Sequence, residues 1–204
     1  AIRIRQLMED FNADYFVFDG RTYGTNLVDS MAKILYDEER DVEYVPLKVF
    51  NNDALADRCK NPNASPIMWA FIGTAENNHV MHTTMLGSLK DGKYKMLTSH
   101  MNCKEYYLSG KKDYELATPE RRAEYELPYM YSDLTLNEMV NLSREFIQGG
   151  KIKLTEPSSG TKDKYIAGAM GNLFIQELET KLTQKDSRTN DWSSIPIFVN
   201  SINL

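Results

Sequence analysis

Two cysteines and three histidines are all that the 204 residues offer to thiolate or imidazole chemistry. Cys59 and Cys103 are too few for a disulfide framework, and neither stands in a CxxC spacing, which argues against a structural zinc site. Long apolar runs are missing as well. No stretch approaches the roughly 18 residues that a membrane-spanning helix needs. Ala1-Ile2-Arg3-Ile4-Arg5 is not followed by the apolar region of a secretory signal, so no targeting segment is expected. Nor is there an excess of base: 24 basic residues stand against 29 acidic ones, a formal net charge of −5. An acidic balance opposes loose binding to phosphate backbones, so neither a nucleic-acid partner nor a membrane span is expected. A GxxxxGK[ST] phosphate loop, internal repeats and low-complexity tracts are absent, and Asp10, Asp14 and Asp19 lack the spacing of a calcium loop.

What remains is the composition of a soluble globular chain, 42% hydrophobic and 26% charged, sized for one core. Residues 1–204 read as a single α+β domain. Tyr15-Phe16-Val17-Phe18 closes on the turn dipeptide Asp19-Gly20 and reads as a strand. Leu27, Val28, Met31, Ile34 and Leu35 follow at helical spacing, which predicts a helix over 25–36 starting near Gly24. Val42 to Phe50, interrupted by Pro46, reads as an edge strand. Ile67-Met68-Trp69-Ala70-Phe71-Ile72 is continuously apolar and predicts a central strand buried on both faces. Val80–Leu89 and Lys93–Met101 flank Lys90-Asp91-Gly92 and predict a β-hairpin. Thr118-Pro119-Glu120 starts a short helix with proline at its first position. Thr135-Leu136-Asn137-Glu138 has the form of a capping box and predicts a helix to Ile147. Pro157-Ser158-Ser159-Gly160 reads as a loop, 164–182 as another helix, and Ile195–Val199 as a last strand.

All three histidines, His79, His82 and His100, fall on or beside the predicted hairpin. A three-residue loop there sets His82 opposite His100 on one face, whereas a two-residue loop points them to opposite faces. A metal would need the first register and a third ligand such as Cys103 or Glu105. Half-buried strand histidines are the plainer reading, and neither a metal nor a cofactor is expected. A cysteine nucleophile needs a helix N-terminus, a histidine and a third residue that orients it. Tyr23 at a helix start, then His82, then Ser99, His100 and Asn102 follow that order of parts.

Tyr23-Gly24-Thr25-Asn26-Leu27-Val28-Asp29-Ser30-Met31 resembles the helix led by Cys-Gly in the bacterial cycle-inhibiting factor family. Met81-His82-Thr83-Thr84 and Tyr94-Lys95-Met96-Leu97 resemble its histidine strand and return strand. Leu134-Thr135-Leu136-Asn137-Glu138-Met139 is similar to a capped helix that follows. These are type III effectors of papain-like fold that deamidate a glutamine of ubiquitin or a ubiquitin-like protein. The resemblance implies an N-terminal helix against an antiparallel sheet, and an intracellular protein or one delivered into a host cell. It also implies a protein partner, ubiquitin-like or a host signalling protein. Tyr23 stands where the family has its cysteine, which implies a degenerate enzyme that binds rather than turns over. Two alternatives stand beside it. One is an active cysteine-dependent hydrolase, deamidase or acyltransferase using Cys103 with His82 or His100. The other is a structural or immunity-type interaction protein. Tyr106, Tyr107, Tyr114, Tyr125, Tyr129 and Tyr131, interleaved with Arg121-Arg122, mark the expected partner-contact surface.

Overall fold

The computed structural model describes residues 1–21 and 23–186. In chain order they form α1 (Ile2–Asp10), β1 (Phe16–Asp19), α2 (Tyr23–Met31), β2 (Leu35–Asp37), β3 (Val42–Tyr44), β4 (Leu47–Val49), α3 (Asp53–Ala56) and β5 (Ser65–Phe71). After these come α4 (Ala75–Lys90), a short α5 (His100–Asn102) running into a π-helical turn at Cys103–Leu108, and α6 (Lys112–Glu115). The last described elements are α7 (Pro119–Asn141), β6 (Ser143–Ile147), β7 (Lys151–Thr155) and α8 (Asp163–Asp186). Helices and strands are mixed, as the α+β expectation has it. The strand expected at Ile195–Val199 lies outside the described residues.

The apolar run at Ile67–Ile72 is the middle of the central sheet. β5 lies between β1 and β4 in the order β1-β5-β4, and both pairings are parallel, with Val17 opposite Trp69. Alternation along β5 divides the core in two. Met68 and Ala70 face Phe18, Val28, Met31 and Leu55, on the side of α2 and α3. Trp69 and Phe71 face Met81 and Met85 of α4 and Tyr165, Ala169, Leu173 and Phe174 of α8. A parallel strand covered on both faces reads as an unbroken apolar run, which is why β5 was legible in the sequence.

The hairpin expected over 80–101 does not form. Residues 75–90 are the helix α4, capped by the Thr74 side chain, which accepts from Asn77 N–H at 3.0 Å. Its buried face is Met81, His82, Met85 and Ser88, a helical spacing. β-Branched Val80, Thr83 and Thr84 cost the helix at most about 0.7 kcal/mol each. Burying Met81 and Met85 against Trp69 and Phe71 contributes about 1.5–3 kcal/mol apiece, so packing outweighs propensity. Asp91-Gly92 closes this helix instead of turning a hairpin. Gly92 takes φ +66°, Gly92 N–H donates to Leu89 O and Lys93 N–H to Ser88 O, the paired bonds of a Schellman stop. The central sheet is therefore parallel, and no histidine strand lies against α2.

Two boundaries also move. α2 ends at Met31, because Leu35–Asp37 pairs with Val42–Tyr44 as a small antiparallel hairpin. The predicted capping box falls inside α7, which starts at the proline expected to begin a short helix, with Thr118 accepting from Arg121 N–H. Thr135 instead donates its hydroxyl to Tyr131 O one turn back, and the helix stops at Asn141 before β6 pairs with β7.

Candidate functional site

Parallel strands leave a crevice beyond their carboxyl ends, and ligands of open α/β sheets gather there. In this chain β1 ends at Asp19 and β5 at Phe71, and a cleft of about 680 Å³ opens beyond them. Asp19 and Arg21 enter it from β1, Asn78 and His82 from α4, and Lys162 and Asp163 from the start of α8. Ile147 and Ile152 of the β6–β7 ribbon form an apolar wall. The ribbon is pinned beside the cleft by two contacts to α4. Ile152 N–H donates to His79 Nδ1 at 3.0 Å, and Lys151 pairs with Glu76 at 2.7 Å.

The backbone around Asp19 is held from both sides. Gly20 N–H donates to Phe71 O at 2.8 Å, joining the ends of β1 and β5. One Asp19 carboxylate oxygen accepts Arg21 N–H at 3.0 Å, closing a local turn. Asp163 occupies the first turn of α8, where negative charge suits the helix dipole. Each acid taken alone has an ordinary structural purpose. Their arrival in one cleft from distant parts of the chain does not follow from either.

His82 is 7% exposed and lies against Tyr165, whose hydroxyl is 3.0 Å from Nδ1. Burial, then Lys162 and His79, push the imidazole down to about 4. Burial also pushes the Tyr165 phenol up to about 12. Both groups are thus neutral near pH 7, and His82 adds no positive charge to the cleft. Lys162 donates to Leu154 O at 3.2 Å and pairs with Glu156 at 2.5 Å.

The residues singled out in the sequence are not gathered into one place. Tyr23 opens α2 and is 84% exposed, on a helix packed over the Met68 face of the sheet, whereas His82 is buried on the Trp69 face. The structure does not pair them. His100 binds elsewhere: its Nε2 is 2.6 Å from Glu126, which also accepts from Lys104 at 2.8 Å and from Tyr114 at 2.5 Å. Burial would raise the Glu126 carboxyl, but the bonds from Lys104, Tyr114 and His100 outweigh it and hold it at about 2. Cys103 is fully buried, and burial pushes its thiol up, with a bond to Tyr129 offsetting only part of that. A nucleophile needs the opposite shift. Among the described residues neither imidazole bonds to Cys103, and no three of His, Cys, Asp and Glu converge as metal ligands.

Asp19, Arg21, Lys162 and Asp163 were missed as site residues. Asp19-Gly20 read as a turn, and Asp163 fell just before the helix read over 164–182. What marks Asp19 is its place as the last residue of a strand whose neighbour β5 is parallel, and that pairing is not written in the local sequence. No helix among the described residues is long and apolar enough to cross a membrane. Comparison with protein families, with curated proteins and with solved structures finds no match to this chain.

Proposed function

We propose that the cleft beyond β1 and β5 is a phosphoester-hydrolysing site that works with a divalent cation. The observation that carries this is the convergence of Asp19 and Asp163 on one cleft that also holds Arg21 and Lys162. Magnesium-like cations are held by one or two carboxylates, with waters and substrate phosphate oxygens completing the shell. Two acids suffice for that, and the neighbouring cations neutralise the charge that grows on a phosphoryl group under attack. The oxygen of a water forms the new bond to phosphorus, the ester oxygen departs, and a proton of that water ends on the departing oxygen. The acidic balance of the whole chain speaks against loose polyanion binding, but a phosphate seated on a bound cation does not depend on that balance.

Hydrolysis of bis(p-nitrophenyl) phosphate with added magnesium or manganese tests the reading, with Asp19→Asn and Asp163→Asn as controls. Parallel assays on a short DNA strand and on a phosphomonoester separate polymer, diester and monoester substrates. Activity indifferent to both substitutions, or none on any of these substrates, sinks the proposal.

A second reading keeps the protein partner that the effector resemblance implies. It is favoured by Leu127, Met130, Tyr131 and Leu134, which share one face of α7 and are all exposed. Binding of ubiquitin or a ubiquitin-like protein, weakened by Met130→Glu or Leu134→Glu, supports it. Unchanged binding removes it.

A further inference from the structure

The start of α8 breaks a rule of helix chemistry. Lys162 O accepts the first intrahelical bond, from Ile166 N–H at 2.8 Å, so Lys162 is the residue that caps the helix. A lysine side chain has no acceptor for the orphan N–H groups of the first turn, and its charge opposes the positive end of the helix dipole. Its ammonium turns instead to Leu154 O and Glu156 at the cleft. Local rules broken at one point and compensated nearby are the mark of a functional position.

The compensation comes from another helix. Glu138 of α7, with a side chain only 8% exposed, accepts Lys164 N–H at 2.9 Å and Tyr165 N–H at 3.0 Å on one oxygen. These are the orphan donors that a capping side chain ordinarily satisfies. The other oxygen accepts the Thr161 hydroxyl and Lys164 Nζ, each at 2.8 Å. All four bonds end on the five residues from 161 to 165, and Lys162 and Asp163 lie inside that span. Burial alone would raise this carboxyl, but the bonds from Lys164, Tyr165 and Thr161 hold it at about 2, so it stays an ionised acceptor.

The geometry points to Glu138 as the positioning residue of the cleft, fixing the start of α8 from outside so that Lys162 and Asp163 face the ligand instead of capping their own helix. The assignment rests on the phosphoester reading. Were Glu138 only a tie between α7 and α8, its loss would lower stability without a selective effect on the cleft.

The test measures manganese binding calorimetrically, with the metal alone, on the wild-type chain, Glu138→Gln and Glu126→Gln. Glu126 is a similarly bonded carboxylate outside the cleft and serves as the control for lost stability. Amide hydrogen exchange is followed at Lys164 and Tyr165. Glu138→Gln is expected to speed exchange at both amides and to weaken manganese binding about tenfold or more, the usual cost of losing a group that orients a metal ligand. Glu126→Gln should leave the affinity within about twofold of wild type. Faster exchange with unchanged manganese affinity in Glu138→Gln overturns the assignment, as does equal weakening in both variants. A wild-type chain that binds no manganese overturns the phosphoester reading and this assignment together, and that outcome is recognised before any variant is made.

Discussion

A β-carbon added to Gly24 would stand 2.1 Å from the carbonyl oxygen of Asp19. Backbone cannot yield as a flexible side chain can, so the start of α2 touches the end of β1 only because residue 24 is glycine. The same contact keeps Asp19 at the rim of the cleft. Gly24→Ala is expected to cost about 1–3 kcal/mol, the range for forcing atoms into packed space. Urea denaturation checks this, and a loss under about 0.5 kcal/mol would show that α2 shifts freely without disturbing β1.

Acid should weaken the fold in two stages. His82 is held at about 4 by burial, Lys162 and His79, against about 6.5 for a free histidine. Above pH 6.5 it is neutral in both the folded and unfolded states and stability does not respond. As pH falls from 6.5 towards 4 the unfolded chain takes up a proton that the native chain refuses, and stability drops by on the order of 3 kcal/mol at most. Glu126 and Glu138, held at about 2, contribute stability that is complete above about 4.5 and lost as pH falls towards 2. His82→Gln should flatten the first stage and leave the second in place. A variant whose stability still falls as steeply as wild type between pH 6.5 and 4.5 would assign that stage to another group.

Legibility in the sequence followed from how many structures a pattern can serve. The run around Trp69, six residues long and bounded by Pro66 and Gly73, fits a strand covered on both faces better than a helix, and the periodic residues of α8 fit a helix despite Gly168 and Gly171. Asp91-Gly92 had two uses, because a glycine with positive φ ends a helix as readily as it turns a hairpin. Thr135 and Glu138 had the spacing of a capping box, yet Glu138 caps α8, a partner that short-range spacing does not reveal. The cleft was hidden for the same reason. Asp19 and Asp163 come to line one cleft only once β1 and β5 are known to be parallel and α8 is folded over the Trp69 face. The histidines were conspicuous because they were few, and scarcity says nothing about convergence.

Thiol reactivity separates the cleft from the arrangement expected around Tyr23. Cys59 and Cys103 are both buried, and the Cys103 thiol is pushed up, so neither should react appreciably with iodoacetamide in the native chain near neutral pH. Tyr23→Cys places a thiol at an exposed position on the face of the sheet opposite His82, and it should alkylate at the rate of an ordinary surface cysteine. Adding His82→Ala should leave that rate within about twofold. A marked slowing on removal of His82 would restore the pairing that the effector resemblance implies.

Asp19 and Asp163 should act as one unit. If both hold the same cation, removing either leaves a site with one carboxylate, and most of the loss at ordinary metal concentration is in place before the second is removed. Asp19→Asn and Asp163→Asn are each expected to lower metal-dependent phosphodiester hydrolysis by about a hundredfold or more, with the double variant no worse than the poorer single one. Stability should move little in either case. Among the described residues Asp19 Oδ1 accepts the local Arg21 N–H, which an asparagine oxygen also accepts, and Asp163 sits in the first helical turn. Raising the metal concentration should recover part of the activity in the singles, because the remaining carboxylate still binds weakly. Multiplicative losses in the double variant, with no recovery at high metal, would mean that the two acids serve separate purposes and that no shared cation lies between them.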